Sequence, residues 1–189
     1  AAEGALARVG DGDEHLGAVG EETIFRNKSG LIVLSGGLSG HLWDLLETGH
    51  AQTARELVSR WKNEFGDSYY IEITRTGRPN EETFVKESIE IAVELDVPVV
   101  ATNDVCFAQS ADYEAHEARV CIQEGRTLND SRRVRRYSEF QYMRSNEEMM
   151  DLFSDLPASI ANAQQIALRC SSELKLGTYH LPRYPVPEG

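Results

Sequence analysis

The stretch Val97-Pro98-Val99-Val100-Ala101-Thr102-Asn103-Asp104-Val105-Cys106-Phe107 decides how this chain is read. Its apolar run predicts a short strand covered on both faces, because a strand with one wet face alternates apolar and polar residues. The run gives way to Asn103 and Asp104, with Cys106 two positions after the aspartate. In parallel α/β folds the residues that act on ligands gather at the carboxyl ends of strands. Asn103 to Cys106 is therefore a candidate site.

Upstream, two further units repeat the theme. Leu31 to Leu34 is a short apolar run ended by Ser35-Gly36-Gly37, and a helix is expected from about Gly40 to Thr48. "AQTARELVSRWKNEFG" (51–66) places Ala54, Leu57, Val58, Trp61 and Phe65 on one helical face, with Gly66 as the stop. "YYIEIT" (69–74) reads as a strand and "RTGRPNEE" (75–82) as a loop. Asn80 is expected to cap the next helix, with Glu81 and Glu82 in its first turn and Val85, Ile89, Ala92 and Val93 as its apolar stripe. A further helix is expected near Ala111. The order strand, helix, helix, strand, helix, strand, helix between Leu31 and Gly125 predicts an α/β fold with a parallel sheet or barrel.

Beyond Arg136 the pattern holds helices alone. "SNEEMMDLFSDLP" (145–157) opens on a polar cap, and "PASIANAQQIALRCS" (157–171) carries Ile160, Ala163, Ile166, Ala167 and Cys170 on one side. The tail "LPRYPVPEG" (181–189) has three prolines and reads as an extended linker. The first 28 residues are rich in Gly, Ala and Glu, and read as a loosely packed lead-in.

The 189 residues, 41% hydrophobic and 26% charged, suit one globular domain or a piece of a larger one. No apolar run approaches the roughly 20 residues a membrane span needs. Three cysteines, Cys106, Cys121 and Cys170, make no disulfide framework and fit a reducing cytoplasm. A net charge of -12 excludes binding of nucleic acid by the overall field of the chain. The basic exception is "RTLNDSRRVRR" (126–136), with five arginines in eleven residues. It reads as a solvated irregular loop, or as a phosphate or partner patch through Arg132, Arg133, Arg135 and Arg136.

Three strand ends frame the expected pocket: Ser35-Gly36-Gly37, Thr74-Arg75-Thr76 and Asn103-Asp104-Val105-Cys106. Asp104 is a hard-oxygen ligand and Cys106 can bind zinc as thiolate, but zinc needs three or four protein ligands. His15, His41, His50, His116 and His180 are scattered, without a helical or strand spacing for shared coordination. Asp104 also reads as a turn residue bonding local backbone, and the cysteines as small buried groups. Phosphate-binding loops of the Gly-x-x-x-x-Gly-Lys type and Gly-x-Ser-x-Gly elbows are missing, and "SGGLSG" lacks the dinucleotide spacing.

Six blocks carry a resemblance: "GLIVLSGGLSG" (30–40), "YYIEITRTGRPNEE" (69–82), "VPVVATNDVCF" (97–107), "EAHEARVCIQEGRTLND" (114–130), "YSEFQYMRSNEEM" (137–149) and "KLGTYHLPRYPVP" (175–187). In this order they resemble the polymerase-and-histidinol-phosphatase (PHP) domain of the alpha subunit of bacterial replicative DNA polymerase III. The resemblance covers residues 29–187. It implies the C-terminal part of a (β/α)7 PHP barrel over 29–125, an Arg-rich loop and helices over 126–178, and a Pro-rich linker toward a polymerase palm over 179–189. Residues 1–28 have no counterpart in it.

Metal-binding members of that family build a trinuclear site from a His-x-His and a further His on early strands, a Cys, a later His and a final Asp-x-His. By the resemblance Gly37 stands where the Cys would be, Thr76 where the later His would be, and Cys106 where the final His would be, so that Asp104 alone remains. The resemblance therefore implies a vestigial pocket and a fragment of the DNA polymerase III alpha subunit acting in DNA replication. In this reading the segment supports the polymerase fold and docks the proofreading exonuclease subunit, beside other holoenzyme subunits. It has no cofactor of its own, reaches DNA only through the full-length parent with its Mg, and meets no membrane. The alternative is a metal-dependent phosphoesterase, pyrophosphatase or 3'-5' exonuclease of the PHP type using Zn or Mn at Asp104. An unrelated α/β sugar-phosphate enzyme is the third reading.

Overall fold

The computed structural model describes residues 19–172 together with 176, 177 and 179. The Pro-rich tail, His15 and His180 lie outside the described residues. Three strands, β1 (Val33–Leu34), β2 (Tyr69–Ile73) and β3 (Val99–Ala101), form a parallel sheet in that order, pairing Val33 with Tyr69 and Ile71 with Val99. Around it lie helices α1 (Glu21–Arg26), α2 (His41–Glu47), α3 (Ala51–Phe65), α4 (Glu81–Glu94), α5 (Tyr113–Glu124), α6 (Asn146–Leu152) and α7 (Pro157–Arg169), joined by loops and short 3-10 turns. The succession read from Leu31 to Gly125 is the one observed. Among the described residues no helix is long and apolar enough to cross a membrane.

The alternation along β2 sorts its residues by face. Tyr69, Ile71 and Ile73 join Leu42, Ala54, Val58, Trp61, Phe84, Val85, Ile91 and Ala92 in one core beneath α2, α3 and α4. Burying a side chain of this size contributes on the order of 1.5–3 kcal/mol, so this layer holds the sheet in place. α7 covers the far edge of β3, where Asn162 Nδ2 donates to the Val99 carbonyl at 2.8 Å. Its last turn reaches under β2, where Arg169 donates to the Tyr70 hydroxyl at 2.8 Å. Pro157 opens α7 at a position where a missing N–H costs nothing. Ser145 and Glu148 open α6 with reciprocal side-chain bonds to each other's backbone.

Several local expectations are corrected. Part of the lead-in is helix: α1 lays Phe25 edge-on against Trp61, with ring centroids 4.9 Å apart, and pairs Glu21 with Arg60 at 2.7 Å. Asn80 takes the N-cap position of α4 but does not cap it through its side chain. The loop entering from Pro79 puts it at φ +62°, a left-handed conformation that Asn tolerates, and its side chain makes no capping bond. Val93 is 78% exposed, because Phe84, Ser88 and Ile91 take the inner face of α4. Ala167 and Cys170 are exposed, so the buried side of α7 rests on Ser159, with Ile160 packed against the core. β1 begins two residues later than the apolar run.

Candidate functional site at the strand ends

The loop after β2 is organised by a single carboxylate. Glu81, 3% exposed, accepts hydrogen bonds from the Thr76, Gly77 and Arg78 amides at 2.6, 2.7 and 3.3 Å. It also accepts from the Thr74 and Thr76 hydroxyls at 2.6 and 3.0 Å. A buried carboxylate is tolerated only when its lone pairs are filled, and here five donors fill them. Thr76 is fully buried by this arrangement.

The same loop aims Arg78 across the sheet edge. Its Nε donates to Thr76 Oγ1 at 2.8 Å, and its guanidinium pairs with the Asp104 carboxylate at 2.8 Å. Asp104 sits at φ +43°, an uncommon conformation for a residue with a side chain. It is held there by Gln141, itself fully buried, whose Nε2 donates to both the Asp104 carbonyl and carboxylate at 3.1 Å. Gln141 also donates to Cys106 Sγ at 3.4 Å, and its carbonyl accepts from the Cys106 amide at 2.8 Å. Burial, and after it the Asp104 carboxylate, push the Cys106 thiol above its ordinary range, against the pull of Arg78 and Arg119. A thiol held protonated is a poor metal ligand and a poor nucleophile.

Side-chain contacts link the segments that follow the three strands. Gly37 is buried at φ +52°, and a Cβ built on it would lie 3.6 Å from Thr74 Cγ2 and 3.8 Å from the Glu72 side chain. Glu72 in turn accepts from the Thr102 hydroxyl at 2.6 Å. Asn103 Nδ2 donates to the Tyr142 carbonyl at 2.6 Å and so ties the returning loop to β3. Arg144 donates to Asn103 Oδ1 at 3.2 Å and lies 5.0 Å over the Tyr142 ring. Among the described residues no three His, Cys, Asp or Glu side chains stand together as a metal-binding group. Arg78, Glu81, Gln141 and Glu72 escape the sequence reading. The signal that could have found them is Thr74-x-Thr76-Gly77-x-x-x-Glu81, a loop rich in donors just ahead of an acidic first turn.

His116 is packed rather than exposed, with its ring 5.4 Å from Phe107 and 4.6 Å edge-on from Tyr137. The arginine loop separates into roles. Arg132 pairs with Asp130 at 3.1 Å, and Arg133 turns inward to pair with Glu117. Arg135 and Arg136 are exposed.

Fold and site together define a parallel α/β unit whose strand ends carry a polar network centred on Asp104, Arg78 and Glu81. Comparison with known proteins gives it relatives. The chain is 45% identical over 168 residues to the DNA polymerase III subunit alpha of Pseudomonas fluorescens, covering 89% of this chain and 14% of that protein. It is 47% identical over 156 residues to the same subunit of Escherichia coli K12, covering 82% of this chain and 13% of that protein. For the subunit of Vibrio cholerae the identity is 41% over 172 residues, covering 91% and 15%. No family model matches the chain. The chain is homologous to a segment of bacterial DNA polymerase III subunit alpha, and it spans 13–15% of the length of these relatives.

Proposed function

We propose that this chain is part of a PHP-type (β/α)7 barrel within a replicative polymerase alpha subunit, and that it acts there as a scaffold rather than as a catalyst. The observation that carries the reading is the Arg78–Asp104 pair. A guanidinium supplies the positive charge that a bound cation would supply to a lone carboxylate, and it cannot lose its proton. Where the resemblance expects ligands this chain has Gly37, Thr76 and Cys106, the last with its thiol pKa raised, and among the described residues no three His, Cys, Asp or Glu side chains form the group that Zn or Mn requires. The three parallel strands, in sequential order, are the pattern expected of consecutive strands in a barrel wall.

In this reading the parent protein is a DNA-directed DNA polymerase of the cytoplasm. DNA and Mg are engaged by parts of the parent outside this segment, and the segment supports the polymerase and docks the proofreading exonuclease subunit. The test combines elemental analysis for Zn and Mn with hydrolysis of bis-p-nitrophenyl phosphate by the purified chain. The scaffold reading expects neither metal nor turnover. Stoichiometric metal with turnover, both lost in Asp104→Ala, overturns it in favour of a PHP phosphoesterase.

A further inference from the structure

Residues 126–137 divide into those that build a loop and those that the loop presents. Arg126 and Arg132 both pair with Asp130, at 3.3 and 3.1 Å. Arg133 is anchored to Glu117 on α5, with the two side chains 4% and 6% exposed. Four residues later the chain is anchored again: the Tyr137 carbonyl accepts from the Tyr113 hydroxyl at 3.2 Å, and the Tyr137 ring meets His116. Between these anchors stand Val134, Arg135 and Arg136. All three are exposed, Val134 by 72%. Among the described residues neither Arg135 nor Arg136 has an ion-pair partner.

A short segment fixed at both ends has little conformational freedom left to lose on binding, which is the condition for a preorganised recognition surface. Its charge runs against that of the chain, which carries -12. A long polyanion reaching past this loop would extend over a chain whose net charge is -12, beyond the reach of two guanidinium groups in a medium whose screening length is about 8 Å. A short acidic segment meets the loop alone. An exposed valine beside the two cations gains nothing from phosphate, whereas an apolar side chain can cover it.

We propose that Val134-Arg135-Arg136 is a docking surface for a short acidic protein segment that carries an apolar side chain among its carboxylates. The carboxylates take the planar guanidinium donors of Arg135 and Arg136, and the apolar side chain covers Val134. This deepens the scaffold reading and rests on it, since it names the chemistry by which the domain receives a partner.

The test is fluorescence anisotropy of the whole chain with a labelled hexapeptide, Asp-Glu-Leu-Asp-Glu-Leu. Its controls are the same peptide with serine for leucine, a lysine counterpart, and labelled oligothymidylate. The acidic leucine peptide is expected to bind best. Its affinity is expected to fall at least about tenfold in R135E/R136E, a change of about 1.4 kcal/mol, and to fall less in V134S. Because these side chains are exposed, circular dichroism of the variants is expected to be unchanged. Equal affinity of R135E/R136E, or oligothymidylate binding as tightly as the peptide, overturns the proposal. The purified proofreading exonuclease subunit is measured alongside. Capture of that subunit without peptide binding removes this surface and leaves the scaffold reading; peptide binding without capture supports the surface and removes the exonuclease docking from that reading.

Discussion

The Arg78 guanidinium stands 2.8 Å from the Asp104 carboxylate, joining the loop after β2 to the loop after β3. The Arg78 side chain is 15% exposed and the Asp104 side chain 42%, so solvent screens the pair from one side. Exposed pairs contribute up to about 1 kcal/mol, and removing one partner of a buried pair costs about 3–5 kcal/mol. Arg78→Met, which also gives up the bond to Thr76, is expected to cost roughly 1–3 kcal/mol. A double-mutant cycle with Asp104→Asn, read as urea midpoints, is expected to show a favourable coupling of about 0.5–1.5 kcal/mol. Additive single mutants would show that the two groups meet without interacting.

Glu81 is the more expensive residue to change. Glu81→Gln keeps the volume but presents an amide nitrogen to donors that now face another donor. Leaving buried N–H and O–H groups unmatched costs about 1–3 kcal/mol for each group fully lost. The variant is expected to lose about 2–4 kcal/mol and to free the Thr76–Arg78 amides for hydrogen exchange. Unchanged exchange at those amides would contradict the account of the loop.

His116 gives the fold a pH dependence. Burial, and after it the charge of Arg119, hold its pKa below the ordinary value, against the pull of Glu117. The unfolded chain then binds a proton that the folded chain does not, so stability rises with pH across the window below about 6.5 and levels off above it. The slope of unfolding free energy between about pH 7.5 and 5.5 is expected to shrink in His116→Gln by up to one proton's worth. An unaltered slope would mean that His116 does not titrate on unfolding.

How much of this was legible in the sequence follows from the range of the interactions. Periodicity finds β2, α3, α4 and α7, because each buries a stripe set by local geometry. Gly37, Thr76 and Asp104 all follow the carboxyl ends of parallel strands, a placement that strand order alone makes legible. The polar network does not follow from any local rule. Gln141 reaches Asp104 and Cys106 over more than thirty positions of chain, and Asn103 reaches Tyr142 in the same way. Asn80 stands at the N-cap of α4 without a capping bond, because the turn after Pro79 sets its backbone first. α1 escapes because its weight rests on distant contacts, Phe25 on Trp61 and Glu21 with Arg60.

Cys106 offers the most direct chemical reading of the network around Asp104. Alkylation by iodoacetamide proceeds through the thiolate, so a thiol held above its ordinary pKa reacts slowly near pH 8. Cys170 is exposed while Cys106 is half-buried, so Cys170 is expected to be modified first. Asp104→Asn removes one of the two influences that raise the Cys106 pKa and leaves Arg78, which lowers it, without a competing carboxylate. The Cys106 rate at pH 8 is therefore expected to rise. Arg78→Met is expected to act in the opposite direction, since it withdraws a positive charge from the thiolate. Followed by peptide mass mapping, opposite signs for the two variants would establish that Asp104 and Arg78 act on this thiol through charge. A rise in both would mean that each merely opens the loop to reagent.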